Sequence, residues 1–270
     1  MRSMTDILGK PRALIGMVHV GALPGTPCAA ASIDQLISGA VADAKALAGA
    51  GFDAIILENM HDRPYIHAEH GPETTAIMTR VGMAIRDAAR STPLGIQVLS
   101  GGNREALAVA FSIGGSFIRC ENFVFSHVAD EGLLPRAEAG GLLRYRRSIG
   151  AESIAIFADI KKKHASHAIT ADLSIADAAE AAAFFQADGV IVTGTATGKP
   201  TAPADLAAVR RAVKLPLLVG SGATPEQLPS LFSHADGVIV GSWIKRDGSW
   251  ENPVDPARAA AMASAFRSMK

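Results

Sequence analysis

Ionisable side chains stand late in several short apolar runs of the sequence, where acid–base chemistry could use them. His19 and Glu58 each fall near the end of such a run, and Asp159 and Lys161 come late in another. Because successive residues of a β-strand point to opposite faces, Asp159 and Lys161 share one face of their strand. A carboxylate can move a proton, and a lysine with a lowered pKa can stabilise an oxyanion or form a Schiff base. We predict these four residues as catalytic, with His19 as the partner acid.

The same alternation adds four polar residues to this set. Arg119 and Glu121 share a face of the fourth run, Gln97 lies late in the third run, and Thr193 ends the sixth. Aliphatic side chains would fill most of these positions in an inert sheet interior. We therefore predict Arg119 and Glu121 as catalytic and Gln97 and Thr193 as substrate-binding. For any one of these residues, a structural role in a buried ion pair remains the alternative.

Two glycine–serine turns near the end of the chain are typical of an anion site. Gly220-Ser221-Gly222 directly follows the seventh run, and Gly241-Ser242 directly follows the eighth. Glycine lets backbone N–H groups approach a phosphate, and an adjoining helix N-terminus adds a favourable dipole. We predict that these turns bind phosphate, with Gly194 and Lys199 closing the pocket from the side. The alternative is that the glycines only form tight turns.

Two predicted loops at the same edge of the sheet contain histidines, with three in residues 61–72 and one in residues 122–136. Long loops at this edge are typical lids. A metal site built from His19, Glu58 and loop histidines is conceivable, but no His-x-His or His-x3-His pair supports it. We predict neither a bound metal nor a cofactor.

These residues need a framework, and the apolar runs supply one. Eight short runs rich in aliphatic residues alternate with Ala-rich stretches of helical spacing, as expected for a parallel sheet covered by helices. The runs are Leu14 to Val20, Asp53 to Asn59, Leu94 to Ser100, Ser116 to Glu121, Ile154 to Lys161, Gly189 to Thr193, Leu215 to Gly220 and Gly237 to Gly241. The count of eight and the late glycines favour a (β/α)8 TIM barrel, one domain over residues 1–270, over a doubly wound open sheet.

Residues that favour helix starts occur between these runs. Each start combines a capping side chain with either a polar residue three positions later or a proline at the first helical position. The starts are Ser32 with Gln35, Ser174 with Asp177, Thr224 with Pro225, and Asp255 with Pro256.

Composition limits the range of partners. The 270-residue chain has a formal net charge of zero and no long block of like charges, which argues for small molecules and against nucleic acid. Cys28 and Cys120 are too few for a disulfide framework. No apolar run approaches the length that crosses a bilayer. We expect a soluble, cytoplasmic protein without membrane insertion, and a homo-oligomer is possible.

Ordered segments across the chain also resemble the BtpA/SgcQ family. They are Gly16-Met17-Val18-His19, Leu23-Pro24-Gly25-Thr26-Pro27, Glu58-Asn59, Asp159-Ile160-Lys161, Lys163-His164-Ala165, Thr193-Gly194, Thr197-Gly198, and Ala235-Asp236-Gly237 to Lys245. The resemblance covers nearly the whole chain and implies a phosphate-binding barrel. The family name is associated with photosystem I accumulation, and other members look like proteins of carbohydrate gene clusters. The resemblance supplies no active-site assignment, so the roles above rest on strand alternation.

Three functional hypotheses follow. The leading one is an enzyme, a lyase, isomerase or hydrolase, that acts on a small phosphorylated sugar or nucleoside-like molecule. The second is a non-catalytic assembly or regulatory factor for photosystem I or another membrane complex, which an exposed apolar patch around Trp243 and Trp250 would favour. Without such a patch, we expect both tryptophans to serve packing or subunit contact. The third hypothesis is a metal-dependent hydrolase.

Overall fold

Eight parallel strands close into a barrel in the computed structural model, which describes residues 2–67, 69–194 and 201–269. The strands are β1 (Ala13–His19), β2 (Ala54–Glu58), β3 (Leu94–Gln97), β4 (Phe117–Cys120), β5 (Ala155–Ile160), β6 (Gly189–Thr193), β7 (Leu217–Gly220) and β8 (Gly237–Val240). They follow one another around the barrel in chain order, and β1 pairs with both β2 and β8. The predicted (β/α)8 barrel is confirmed.

Helices cover the outside of the barrel. They are α1 (Met4–Leu8), α2 (Ile33–Ala50), α3 (Pro72–Ala88), α4 (Asn103–Ser112), α5 (Ala139–Ser148), α6 (Ile175–Phe184), α7 (Pro203–Ala212), α8 (Leu228–Leu231) and α9 (Pro256–Arg267). Within the described ranges, no helix has both the length and the apolar character that a bilayer crossing requires.

Capping side chains start several of these helices where the sequence predicts them. Ser32 accepts a hydrogen bond from the Gln35 amide, and the Gln35 side chain accepts one from the Ser32 amide. Ser174 and Asp177 form the same reciprocal pair at α6. Gly51 ends α2 with a φ of 93°, a left-handed conformation that glycine adopts without strain.

The predicted alternation of strand faces is confirmed. Ile15, Met17 and Ile56 belong to the apolar cluster inside the barrel, whereas Leu14 and Val18 belong to the larger cluster between the barrel and its helices. Because this parity continues to the ends of the strands, it carries the predicted polar side chains toward the barrel mouth.

Two phenylalanines fill the centre of the barrel. The Phe117 and Phe157 rings meet edge to face, with their centroids 5.4 Å apart. Glycines opposite them make the space: a Cβ at Gly95 would lie 2.3 Å from the Phe117 ring, and one at Gly189 would lie 2.4 Å from the Phe157 ring. Helix α1 packs two of its apolar side chains into the same interior cluster. The interior is therefore a packed core on the side away from the mouth.

A small antiparallel sheet lies beside the mouth, where the sequence predicts only a loop. Its three strands are His127–Ala129, Gly132–Leu134 and Ala165–Ser166, with His127–Ala129 in the middle. We call the first two strands and their turn the β4 hairpin. The hairpin brings Asp130 and Glu131 to the edge of the cavity described below.

Candidate active site

A cavity of about 330 Å³ opens at the carboxyl ends of the barrel strands. Ten of the residues predicted from the sequence line it, together with several that were not predicted. The ten are His19, Glu58, Gln97, Arg119, Glu121, Asp159, Ser221, Gly222, Gly241 and Ser242. Closure of the barrel brings these side chains and turns together from seven different strands.

Arg119 and Asp159 form a buried ion pair at the bottom of the cavity. The guanidinium donates from Nε to both carboxylate oxygens, at 3.2 and 3.0 Å, and its Nη2 lies 3.0 Å from Oδ2. This forked geometry fixes both side chains. Burial raises the pKa of Asp159, and the charge of Arg119 opposes that rise. Asp159 is thus occupied in holding Arg119, which suits a positioning role better than proton transfer.

A second ion pair links Glu121 to Lys162. Lys162 Nζ lies 3.1 Å from Glu121 Oε1 and 3.5 Å from Glu131 Oε1 on the β4 hairpin. The Gly101 amide donates to the other oxygen of Glu121 at 3.1 Å. Burial alone would raise the pKa of Glu121, but Lys162 and the amide hold it below the usual value. Glu121 is therefore a fixed anion that joins the barrel to the hairpin.

His19 and Glu58 form a contact of a different kind. His19 Nε2 lies 3.5 Å from Glu58 Oε2, and His19 Nδ1 lies 2.9 Å from the Trp250 carbonyl oxygen. Because a carbonyl can only accept, Nδ1 carries the proton and Nε2 faces the carboxyl group. Burial lowers the pKa of His19 well below its usual value and raises the pKa of Glu58. Both shifts favour the uncharged forms of the two groups.

The predicted position of Lys161 at the mouth is wrong. Strand β5 ends at Ile160, and Lys161 takes a left-handed conformation with a φ of 44°, so the alternation of faces stops there. The Lys161 side chain points away and donates to the Thr170 carbonyl at 3.3 Å. Lys162 and Lys163, which were not predicted as site residues, line the cavity instead. The run of three lysines was the available signal, but the backbone turn decides which of them face inward.

Lys163 places a cation beside the turn that follows β7. Its Nζ lies 3.4 Å from Ser221 Oγ, and its amide donates to Thr193 Oγ1 at 3.1 Å. Burial, reinforced by the nearby charge of Arg119, lowers the pKa of Lys163 to about 8. Thr193 thus orients Lys163 from β6 and does not itself line the cavity. The predicted cation Lys199 lies outside the described residues.

Both glycine–serine turns reach the cavity. Ser221 and Gly222 have φ values of 79° and 72°, so two successive residues are left-handed directly after β7. Gly241 precedes a short 3-10 helix, Ser242–Ile244, and lines the cavity with Ser242. Gly220 is the last residue of β7, and a Cβ there would lie 3.0 Å from Ile191. Gly194 is buried at the end of β6. Neither Gly194 nor Gly220 is part of the cavity lining.

The segment after β8 is fixed by a buried ion pair. Lys245 is 0% exposed, and its Nζ donates to Asp43 of α2 at 2.8 Å. The other Asp43 oxygen accepts from the Val254 amide at 2.8 Å. This pair holds both ends of the segment that contains Trp250, whose carbonyl orients His19.

Trp250 differs from the expectation of packing or subunit contact alone, whereas Trp243 fits it. Trp250 is half-buried and lines the cavity; the Arg63 guanidinium lies 4.7 Å from its ring centroid and the His61 ring 5.2 Å away. Trp243 is also half-buried and packs against Arg258 at 4.6 Å. In the part of the chain that the structure describes, no group of three or more His, Cys, Asp or Glu residues is arranged to hold a metal ion.

Comparison with known sequences gives relatives over almost the full chain. The sequence model of the BtpA family matches residues 10–268. An uncharacterized mitochondrial protein of Caenorhabditis elegans is 43% identical over 272 residues, which cover 99% of this chain and 98% of the relative. The photosystem I biogenesis protein BtpA of Synechocystis is 36% identical over 256 residues, 94% of this chain and 87% of that protein.

Comparison with solved structures gives barrels of low sequence identity. Thiamine phosphate pyrophosphorylase from Pyrococcus furiosus has a TM-score of 0.59 at 11% identity, covering 96% of both chains. Orotidine 5'-monophosphate decarboxylase from Methanocaldococcus jannaschii has a TM-score of 0.56 at 12% identity, covering 94% of this chain and 98% of that one. A 3-hexulose-6-phosphate synthase has a TM-score of 0.54 at 15% identity, with 94% and 99% covered. At these identities the likeness shows the fold alone.

Proposed function

The chain belongs to the BtpA family, and from this premise we propose that it is an enzyme acting on a small phosphorylated sugar or nucleoside-like molecule. One observation carries the proposal: a single cavity joins two glycine–serine turns and a lysine to a buried carboxyl–imidazole pair. The three structural neighbours described above are named for reactions of phosphorylated compounds, which adds support from the fold.

The phosphate would lie between the turns that follow β7 and β8. Backbone amides at Ser221, Gly222 and Ser242 can approach an anion closely because the glycines lack side chains. Lys163, beside Ser221, supplies a positive charge of the kind predicted for Lys199 at the phosphate. In a buried site such a charge is screened little by solvent, so it strengthens anion binding.

Proton transfer would fall to Glu58 with His19. These groups contact each other at 3.5 Å, and the Trp250 carbonyl fixes the imidazole ring. Arg119, held by Asp159, would stabilise negative charge that develops on a substrate oxygen. Acid, base and oxyanion stabiliser in one cavity suit a lyase or isomerase that removes a proton next to a carbonyl group.

The assembly-factor hypothesis has less support from this structure. An exposed apolar surface around Trp243 and Trp250 would favour it, but both side chains are half-buried and each packs against an arginine. The name of the Synechocystis relative refers to photosystem I biogenesis. We therefore retain the enzyme as the function that the geometry supports best.

Thermal shift with methyl phosphate tests the anion site. A ligand that binds only the native state raises its stability by about 2.7 kcal/mol at a hundredfold excess over Kd. We expect a rise in Tm for the wild type that is much smaller in Lys163→Met. Lys161→Met is the matched control, because it removes a neighbouring lysine that lies outside the cavity. An equal Tm rise in all three proteins would refute the assignment of Lys163.

A further inference from the structure

The wall of the cavity opposite the glycine–serine turns belongs to β3. In a ring of eight strands in chain order, β3 lies directly across the barrel from β7. Gln97 ends β3, and Ser100 follows three residues later; both line the cavity. A molecule whose phosphate lies at Ser221 and Gly222 would therefore extend toward Gln97 and Ser100.

Two polar atoms on this wall lack hydrogen-bond partners. Gln97 and Ser100 are each 1% exposed, and neither Gln97 Oε1 nor Ser100 Oγ has a partner among the described residues. Most buried polar atoms in native proteins are paired, so unpaired ones that border a cavity need an explanation. A ligand that supplies hydrogen-bond donors provides it.

The surrounding groups define which ligand would fit. Glu58 lies beside Gln97 in the register of β2 and β3, and both side chains line the cavity. An ionised phosphate or carboxylate has no hydrogen to donate to the amide oxygen of Gln97, whereas a hydroxyl group can donate to it. Met60 and Leu99 supply apolar surface for the C–H face of a polyol.

A nucleobase fits less well at this wall. Trp250 is the aromatic ring of the cavity best suited by size to stacking, and Arg63 and His61 already lie against it. The Tyr65 hydroxyl donates to the Met60 carbonyl at 2.7 Å, so it is also engaged within the protein. Hydrogen-bond acceptors without a vacant stacking surface favour a sugar over a base.

We propose that Gln97 and Ser100 form a hydroxyl-binding subsite that selects sugar phosphates. Gln97 Oε1 accepts from one hydroxyl group of the sugar, and Ser100 Oγ exchanges a hydrogen bond with another. The inference rests on the proposed function for the position of the phosphate, and it narrows the substrate class to phosphorylated polyols. A cavity of about 330 Å³ lies at the small end of ligand pockets, which suits a pentose or hexose phosphate.

Calorimetry on the full chain tests the subsite with four probes: methyl phosphate, ribose 5-phosphate, glucose 6-phosphate and adenosine monophosphate. We expect at least one of the two sugar phosphates to bind the wild type at least tenfold more tightly than methyl phosphate. Gln97→Leu and Ser100→Ala should each remove most of this gain and leave methyl phosphate affinity unchanged. Both variants should keep the wild-type Tm without ligand, because the deleted atoms have no partner in the protein.

Three results would overturn the proposal. They are no gain for either sugar phosphate in the wild type, a gain that survives in Gln97→Leu, and tighter binding of adenosine monophosphate than of both sugar phosphates. Failure of methyl phosphate to bind would instead reject the anion site of the proposed function. Free glucose, compared between wild type and Gln97→Leu, then decides the subsite alone.

Discussion

Glu58 differs in its neighbours from Asp159 and Glu121, two other carboxylates of the cavity lining. Asp159 is held by Arg119 and Glu121 by Lys162, whereas the contact that Glu58 makes at 3.5 Å is with an imidazole. Its pKa is raised because it is buried. A carboxyl group whose pKa moves toward neutrality is suited to both give and take a proton near pH 7.

Glu58→Gln should therefore remove catalysis while leaving the fold intact. We expect kcat to fall by about 10²- to 10⁴-fold, because the amide cannot transfer the proton. The free energy of unfolding should not fall, because glutamine is similar in size to glutamate and is not ionisable. Turnover of an identified substrate and thermal melts of the variant check both statements. Glu152→Gln, on the surface, is the control, and wild-type turnover in Glu58→Gln would reject the assignment.

Lys163 should give anion binding a characteristic pH dependence. Its pKa of about 8 in the free protein means that the ammonium loses its proton as the pH rises through 8. A phosphate monoester is dianionic above about pH 6. Affinity for methyl phosphate should thus be highest near pH 7 and fall above pH 8. Calorimetry from pH 6 to 10 measures this affinity. In Lys163→Met, the fall in affinity above pH 8 should be absent. If the fall persists in this variant, another group is responsible for it.

At the scale of single elements, the segment after β8 owes its position to one buried ion pair. Lys245 is fully enclosed, and Asp43 contacts both Lys245 and the Val254 amide. The pair joins α2 to the segment that orients His19 through Trp250. Helix α2 thereby helps to fix the His19 side chain in the cavity.

Asp43→Ala should destabilise the protein by about 3–5 kcal/mol, because it leaves the Lys245 charge buried without its partner. Asp34→Ala is the matched control on the same helix. Asp34 pairs with Arg80 at 3.7 Å on the surface, and such a pair contributes about 0–1 kcal/mol. Urea denaturation of both variants gives the difference. Equal losses of unfolding free energy in the two variants would mean that burial does not make the Asp43–Lys245 pair more important than the surface pair.

The sequence predicts the strands and their inward side chains correctly where the two-residue alternation is regular. It fails where that alternation stops. Two-residue alternation placed Glu58, Gln97 and Asp159 correctly, because each lies within or at the end of a strand. It failed at Lys161, since the chain turns left-handed one residue after β5, and no local pattern marks that turn. The β4 hairpin was missed because three-residue strands are too short to show a period.

At the scale of the whole molecule, the barrel is held by close packing of large and small residues. Phe117 and Phe157 need the missing side chains of Gly95 and Gly189 on neighbouring strands. Gly95 lies two residues before Gln97 and so shares its inward face, but the ring that fills the space at Gly95 comes from another strand. Such pairings follow from the closed topology, and a single strand does not reveal them.

Gly189→Ala should destabilise the barrel by about 1–3 kcal/mol through overpacking. The new Cβ would lie 2.4 Å from the Phe157 ring and 2.9 Å from the Pro216 carbonyl oxygen, and the backbone oxygen has little freedom to move. Gly39→Ala is the control, because Gly39 lies within α2 with nothing within 4 Å of the added Cβ. That change should stabilise by about 0.5–1 kcal/mol. Thermal melts decide; the same sign in both variants would contradict this account.

The two central phenylalanines and α1 also block the barrel interior on the side away from the cavity. Because side chains fill the barrel axis below the cavity, a bound molecule enters and leaves through the same opening, at the carboxyl ends of the strands. The β4 hairpin lies beside that opening, and the contact between Glu131 and Lys162 joins the hairpin to the barrel. For the enzyme that we propose, a new substrate can therefore enter only after the product has left through this opening.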